Sequence, residues 1–251
     1  MNEYFLRLNP EKTKILVICS PQVRSKVIIK GTFINDNCIR FVSKARNLGV
    51  IIDEELNFDY QVNKITSSCF QIIHKILRIR HFLKTEHLKT LVTSLILSKI
   101  DYCNALYYGM SAKNIYKLQA VQNSSARLVS KLNRFDNISI TEIIRTHHWL
   151  RVKDRISFKI LLITHKALWN KAPIEIQSLL RRSKSSRNES LRHEVSHGKY
   201  GDRSFKVAAP KLWNAMPPEI KAEPDTNKFK KKLKTFLFDR SEVYHQRVNV
   251  I

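Results

Sequence analysis

Three residues of the sequence stand in a spacing that could bind zinc. His193, Glu194 and His197 match HExxH, which on a helix places two imidazoles on one face and a carboxylate beside the zinc-bound water. Gly198 follows at once and the neighbouring residues are polar, so no apolar face is present to dock such a helix. The pattern favours a chance match in a basic loop over a zinc hydrolase, which stays the remote alternative.

A tight acidic cluster is the second candidate for metal chemistry. Asp53, Glu54 and Glu55 are consecutive. Successive side chains on an extended strand point to opposite sides, so three adjacent carboxylates do not converge on one ion. We expect Asp53 to end a hairpin, and we assign no metal ligand and no catalytic residue in this chain.

Positive charge dominates the composition. The 251 residues include 45 Lys and Arg against 21 Asp and Glu, a formal net charge of +24. Nine basic and six acidic residues lie in 1–57, so 58–251 carries most of the excess. Such a charge indicates a polyanionic partner, of which nucleic acid is the commonest inside cells. Only five glycines are present, which argues against a glycine-rich phosphate loop.

The cysteines and the hydropathy bear on location. Cys19, Cys38, Cys69 and Cys103 form no CxxC pair, which argues against a zinc knuckle or a redox motif. We find no secretory leader and no apolar run of about 18 residues. We therefore expect free thiols, no membrane partner, and an intracellular protein of the nucleus or cytoplasm that is not secreted.

The periodicity predicts a small β-rich start followed by helices. Apolar runs predict a strand over 13–19, a hairpin pairing 27–29 with 38–41, and a strand over 47–53. From Asp59 onward, apolar residues recur every three to four positions. The predicted helices cover 59–78, 85–107, 111–132, a short stretch after Ser139, 152–169, 173–180 and 226–238. Residues 181–204, rich in Ser and Arg, are predicted to be a basic loop.

Six blocks of sequence, in order, resemble the C-terminal part of a LINE-type (non-LTR retrotransposon) reverse transcriptase of the jockey-like kind. The blocks are 8–14 (LNPEKTK), 45–53 (ARNLGVIID), 99–104 (KIDYCN), 117–127 (KLQAVQNSSAR), 148–150 with 155–160 (HWL and RISFKI), and 201–214 (GDRSFKVAAPKLWN). Arg151 stands where the family usually has proline. Any one block is weak evidence, whereas six in the family's order cover nearly the whole chain.

The resemblance implies a fold and a division into segments. We expect a mainly α chain: a helical thumb and C-terminal bundle with a small N-terminal β-hairpin remnant of the palm. Residues 1–57 would be the palm remnant with a primer-grip-like hairpin at Leu48, Gly49 and Val50. Residues 58–135 would be thumb-like helices, and 136–251 a helical C-terminal region that contains the basic loop 181–204.

The resemblance also implies a function, RNA-directed DNA polymerisation, of which this chain would keep only nucleic-acid binding. Polymerisation requires carboxylates that hold two metal ions, and the sequence has no adjacent Asp-Asp pair. We therefore expect no polymerase activity and no cofactor in this chain, with magnesium belonging to the full-length enzyme. The palm, fingers and endonuclease of the full-length element would precede Met1.

The expected partner is an RNA/DNA template–primer duplex, bound through phosphates with low sequence specificity. In the family the first thumb helix lies along that duplex. The residues assigned to this contact are basic and lie off the apolar helix faces: Lys64, Lys75, Arg78, Lys117, Arg127, Lys131 and Arg134. We expect Trp149, Trp169 and Trp213 to pack in the core rather than stack on bases. An inert retrotransposon-derived remnant is the alternative.

Overall fold

The computed structural model describes residues 9, 11–26, 31–34, 37–133, 136–183, 190–196, 198 and 200–248. The chain is 60% helix and 8% strand, with two small antiparallel hairpins near the N-terminus, which confirms the expected fold class. It divides into two compact units, Met1–Lys64 and Ile65–Ile251. The three-segment division drawn from the resemblance stays a prediction.

The strands belong to the first unit and most helices to the second. The strands are β1 (Gly31–Ile34), β2 (Asn37–Arg40), β3 (Lys44–Asn47) and β4 (Val50–Asp53). The α-helices are α1 (Pro21–Arg24), α2 (Asp59–Ile79), α3 (Thr85–Val92), α4 (Ser98–Asp101), α5 (Ala112–Val129), α6 (Ile140–Thr146), α7 (Val152–Leu168), α8 (Ile174–Gln177), α9 (Phe205–Asn214), α10 (Pro218–Lys221) and α11 (Thr226–Val248). The 3-10 turns are Arg80–Phe82, Asn104–Tyr107 and Gly201–Arg203, and Thr93–Leu97 is π-helical.

The predicted strand over 13–19 is wrong. Ile15 forms an isolated bridge with Phe41, and the backbone NH of Cys19 donates to the carbonyl of Glu54 at 3.3 Å. These single contacts tether the apolar run without building a ladder. The short helix α1 follows instead, since Ser20 caps it and Pro21 fixes its first residue. Residues 27–29 of the predicted hairpin lie outside the described residues, and the observed hairpin pairs β1 with β2.

The second hairpin, β3–β4, turns through two residues. Asn47 pairs with Val50, and both intervening residues have positive φ, 44° at Leu48 and 88° at Gly49. Such a turn matches the right-handed twist of the strands. Glycine adopts this conformation readily, whereas Leu48 adopts it at a cost and is 84% exposed. The hairpin therefore holds a leucine at its tip, in solvent.

Asp53 ends β4 by accepting three backbone hydrogen bonds. Its Oδ1 accepts from the NH of Glu55 at 3.2 Å and of Asn57 at 2.8 Å, and its Oδ2 accepts from Phe58 at 2.7 Å. The two glutamates lie on the Arg24 guanidinium, 2.8 Å for Glu54 and 3.5 Å for Glu55. The acidic cluster thus organises the chain between β4 and α2, as expected for Asp53.

In the second unit α7 is the central helix. It contacts α4, α5, α8, α9 and α11. Two adjacent stripes of its residues are buried, one through Ile156 and Ile160 and the other through Leu161 and His165. Around its C-terminal half an apolar cluster forms with α9, α10 and α11, comprising Leu150, Leu161, Leu191, Trp213, Met216, Ile220, Phe229, Leu233 and Leu237. Burial on several sides explains why this helix is apolar nearly all round.

The continuous helix predicted over 85–107 is wrong. It is α-helical to Val92, π-helical over Thr93–Leu97 and α-helical again to Asp101. Hydroxyl groups bond back to the preceding turn, Thr93 to the carbonyl of Lys89 at 2.7 Å and Ser94 to that of Thr90 at 2.8 Å. Such bonds bend helices. Cys103 then adopts φ 52°, which ends the helix before the last 3-10 turn.

The sequence underestimated the order within 181–204. Arg182 and Leu191 form a bridge, and Leu191 is 2% exposed in the apolar cluster. The side chain of Asn214 holds this segment, because its Oδ1 accepts from the NH of Leu191 and its Nδ2 donates to the carbonyl, both at 2.8 Å. One leucine in a polar run gave too weak a signal to predict this packing. Residues 184–189 lie outside the described residues.

Replacement of Asp53 tests its role as a backbone acceptor. We expect Asp53→Ala to expose three amides at a cost of about 1–3 kcal/mol, so the NH groups of Glu55, Asn57 and Phe58 should exchange faster. Asp53→Asn keeps one acceptor oxygen and should affect Phe58 most. Amide hydrogen exchange measures both variants, with exposed Glu11→Gln as the control. Unchanged protection at these amides in Asp53→Ala would contradict this assignment.

The stability of the second unit should fall in acid because of His165. Burial lowers the pKa of His165, whose Nε2 donates to the Glu223 carbonyl at 2.8 Å and whose ring stacks on Phe229. Its buried Nδ1 has no partner among the described residues. The unfolded chain then binds more protons below pH about 6.5, so the free energy of unfolding decreases as pH falls, by at most about 1.4 kcal/mol per pH unit.

His165→Gln isolates this contribution. A glutamine Nε2 can donate to the same carbonyl but does not titrate. Denaturant unfolding between pH 7.5 and 5.5 should show a shallower pH dependence for the variant than for the parent. His147, whose pKa is also lowered, first by burial and then by Lys89, supplies the remainder. Equal pH dependence in the two proteins would refute the role of His165.

Candidate nucleic-acid interface

The basic residues predicted on the first thumb-like helix lie along α2. Lys64, Lys75 and Arg78 are exposed and form no ion pair with a described residue. They are separated by 11 and 14 positions, close to three and four helical turns, so they share one face of the helix. Lys64 belongs to the first unit, and Lys75 and Arg78 belong to the second. This spacing can place cations beside successive phosphates.

An arginine that the sequence reasoning did not select joins the ends of α2 and α5. Arg80 donates to the carbonyl of Leu132 at 3.4 Å and to Oδ1 of Asn133 at 3.0 Å. These bonds place the C-terminus of α2, with Arg78, beside the C-terminus of α5, with Lys131. The two groups of predicted basic residues therefore approach each other at this end. Their separation of more than 50 positions in sequence hid the contact.

The predicted residues of α5 have different environments. Lys131 is exposed and has φ 55°, and Lys117 is half-buried. Arg127 donates to the carbonyls of Asn133, Asp136 and Ile138 at 3.4–3.5 Å, so its guanidinium closes the connection to α6. This accounts structurally for Arg127, while its phosphate contact stays a prediction. Arg134 lies outside the described residues.

The primer-grip-like residues form the β3–β4 hairpin tip. Val50 is 3% exposed and anchors β4, whereas Leu48 points its side chain into solvent. Gln61 of α2 accepts the NH of Ile51 at 2.9 Å, which attaches the hairpin to the start of that helix. Lys44 lies 3.7 Å above the ring of Tyr60. The first unit thus presents an exposed leucine on a hairpin fastened to α2.

Polar residues from separate sequence blocks meet at the start of α7, in contacts that we call the α7 clamp. Gln122 of α5 is fully buried and donates to the carbonyl of Leu150 at 2.8 Å. Gln119, one turn earlier, accepts the NH of Val152 at 3.0 Å through its Oε1. Both groups are backbone atoms of the α6–α7 connection, so α5 fixes the point where α7 begins.

Arg155 completes the clamp from α7. Its Nε donates to the same Leu150 carbonyl at 3.1 Å, and its Nη1 lies 2.6 Å from Oδ2 of Asp101 in α4. Asn104, which is 2% exposed, donates to Asp101 at 3.3 Å. The resemblance selected these residue types without giving them a role. The geometry gives them one, because they tie α4, α5 and α7 together.

The last sequence block contacts the third in the same way. Nε of Arg203 donates to the carbonyl of Tyr108 at 3.1 Å. Gly109 follows with φ 69°, and a Cβ at that position would lie 2.6 Å from Cγ of Arg203. Glycine is therefore required here, both for the backbone conformation and for the close approach of the arginine.

His148 ends α6 in a conformation that glycine usually supplies. Its φ is 53°, its NH donates to the carbonyl of Arg145 at 2.8 Å, and the NH of Trp149 donates to that of Ile144 at 3.1 Å. This pair of bonds is the Schellman motif, in which the left-handed residue is most often glycine. A histidine here costs conformational energy and places an exposed imidazole beside the start of α7.

The zinc motif lacks its helix in the described residues. Residues 192–196 form no helix, and His197 lies outside the described residues. Nε2 of His193 lies 3.0 Å from Nδ2 of Asn214, and Glu194 lies 3.2 Å from Nζ of Lys206. No group of three His, Cys, Asp or Glu residues in the part of the chain described here could hold a metal ion. The chemistry of HExxH therefore has no geometric support.

The tryptophans mostly pack as predicted. Trp213 is 1% exposed and Trp149 is 7% exposed, which confirms core packing for both. Trp169 is half-buried at the end of α7, with its ring centroid 6.0 Å from that of His165. Base stacking therefore has little tryptophan surface available to it.

Searches for similar proteins found no match for this chain among family models, curated proteins or solved structures. Among the described residues, none of the helices has the length and apolar character needed to cross a membrane.

A double-mutant cycle tests the Asp101–Arg155 contact of the clamp. The two side chains are 35% and 16% exposed, so solvent weakens their attraction only in part. We expect Asp101→Asn and Arg155→Gln each to destabilise the second unit, with a coupling free energy of about 1–2 kcal/mol from denaturant unfolding. The pair Lys232 and Glu223, at 48% and 11% exposure, provides a comparison nearer the surface. Additive effects at Asp101 and Arg155 would show that the clamp contributes nothing.

Proposed function

We propose that this chain is the nucleic-acid-binding thumb and C-terminal region of a non-LTR retrotransposon reverse transcriptase, which holds a template–primer duplex through phosphate contacts. The observation that carries the proposal is the α7 clamp. Asp101, Gln122 and Arg155 come from three blocks that were selected by resemblance alone. They hydrogen-bond with one another or with a shared carbonyl across three helices. Blocks that pack together support a common origin in one domain.

The charge distribution supports the binding role. Lys75 and Arg78 on α2 and Lys131 at the end of α5 are exposed, and the apolar faces of both helices are buried. A row of cations on a rigid helix matches the regular spacing of phosphates and reads no bases. Binding to an RNA/DNA duplex with low sequence specificity follows from this arrangement, in the nucleus or cytoplasm where such duplexes form.

The hairpin tip supports a second contact. Leu48 is exposed on a two-residue turn whose strained conformation holds it away from the core. Strain of this kind is concentrated at functional positions. In the proposed role, Leu48 and Gly49 lie against the sugar–phosphate backbone of the primer as a grip, while Val50 anchors the strand.

Magnesium enters only through the full-length enzyme. The described residues hold no cluster of carboxylates that fits such an ion, so the proposal routes no step through a metal. What this chain contributes is the positioning of a duplex. The alternative of an inert remnant requires a chain without a cooperative fold, and cooperative unfolding with coupling across the clamp would exclude it.

Salt dependence tests the proposed contact. If about six phosphates are neutralised, the logarithm of the association constant should fall against the logarithm of salt concentration with a slope near −5. The triple variant Lys64→Gln, Lys75→Gln and Arg78→Gln should reduce the slope to about −3 and weaken binding at least about tenfold at moderate salt. Fluorescence anisotropy with a labelled RNA–DNA hybrid measures both quantities.

A charge-matched control separates a localised interface from general attraction. Lys113, Lys153 and Lys211 are exposed, and their replacement by glutamine removes the same charge elsewhere. We expect this control triple to retain most of the slope and affinity. Equal losses in the two triples, or an affinity that does not depend on salt, would contradict the proposal.

A further inference from the structure

A cleft of about 470 Å³ opens in the second unit beside the α7 clamp. Its walls come from α3 and the π-helical segment, from the residues that join α6 to α7, from α7 itself and from α11. The volume lies in the range of small-ligand sites, about 300–1,000 Å³. The clamp residues Asp101 and Arg155 form part of its lining, so the elements around it are held in place.

The lining carries an excess of positive charge. Lys89, Lys159, Lys234 and Arg155 line the cleft, and Asp101 is the carboxylate among the lining residues. Asp101 already lies 2.6 Å from Arg155. The three lysines form no ion pair with a described residue. Three ammonium groups therefore face a concave surface whose carboxylate is already used.

The cations of this cleft affect one another. The pKa of Lys234 is lowered, first by burial and then by the charges of Arg155 and Lys89. Lys89 also contributes, after burial, to the lowered pKa of His147, which lines the same cleft. Like charges that depress one another's protonation in this way are relieved by an anion bound between them. A phosphate group has the charge and the acceptor oxygens to do so.

An exposed aromatic side chain stands at the same cleft. His148 lines it, and the Schellman motif fixes its backbone in the left-handed conformation. Glycine would fit that backbone with less strain, so helix termination does not account for the imidazole. A flat ring beside a set of cations is the combination that binds a base together with its phosphate.

We propose that this cleft binds one nucleotide of a single-stranded nucleic acid, with a phosphate among Lys89, Lys159 and Lys234 and the base against His148. The inference rests on the proposed function and extends it, because it assigns the single-stranded part of the template–primer to a site separate from the α2 face. The occupant is identified by charge and stacking, and not by sequence readout.

Binding of a labelled short oligouridylate to the full chain tests the site, with uridine monophosphate and inorganic phosphate as competitors. Lys89→Gln with Lys234→Gln should weaken strand binding about tenfold or more, while affinity for a blunt RNA–DNA hybrid changes little. Lys113→Gln with Lys211→Gln removes equal charge outside the cleft and should leave strand binding nearly unchanged. Equal weakening by the two pairs would overturn the proposal.

His148→Gly tests the base contact without threatening the fold, because the backbone of residue 148 already favours glycine. We expect it to lower the affinity for uridine monophosphate about tenfold, towards that of inorganic phosphate. Photo-crosslinking of a thiouridine strand should label the peptide that contains His148. Unchanged competition by the nucleotide, or crosslinks confined to other peptides, would refute the site.

Failure of the two proposals can be told apart. If the hybrid does not bind while the strand binds and depends on Lys89 and Lys234, the duplex role is wrong and the cleft assignment stands. If the hybrid binds with the expected salt slope while cleft variants bind the strand like the parent, the cleft assignment is wrong.

Discussion

The carbonyl of Leu150 is the point on which the second unit depends. It accepts from Gln122 of α5 and from Arg155 of α7, and Gln119 takes the neighbouring NH of Val152. A buried carbonyl or amide without a partner costs about 1–3 kcal/mol, so the chain can enter α7 in few other ways. Once α7 is placed there, Arg155 reaches Asp101, and α4, α5 and α11 are fixed around it. The cleft beside α7 keeps its shape for the same reason.

Apolar burial and polar contacts have different tasks in this unit. The cluster around Trp213, Phe229 and Leu233 supplies most of the driving force, which is proportional to area and carries little directional information. Helices with such faces could slide or rotate with small losses. The clamp, Asn214 on Leu191 and Arg203 on Tyr108 remove that freedom, because hydrogen bonds require short distances and defined angles. Specific packing of this mainly helical unit therefore comes from a few polar side chains.

Arginine and lysine divide the positive charge between structure and surface. Arg80, Arg127, Arg155 and Arg203 donate to backbone carbonyls that close connections between elements. A guanidinium has several donors in a rigid plane, which suits it to this use. The lysines that line the cleft and the α2 face keep compact charges at the ends of flexible stems. The excess charge of the chain is thus carried largely by groups able to meet a polyanion, which is the basis of both proposals.

Sequence by itself determined which segments are helical and which face of each is buried. The spacing of apolar residues gives α2, α5 and α7 to within a few residues, and the excess of Lys and Arg indicates the class of partner. Periodicity reports one element at a time, so it could not show that Gln122, Asp101 and Arg155 meet, or that Lys89, His148 and Lys234 line one cleft. It also missed the π-helical break after Val92 and the burial of Leu191, because back-bonding hydroxyls and one leucine in a polar run barely change the hydrophobic pattern. Only the tertiary structure decided these points, since they depend on contacts between residues distant in the chain.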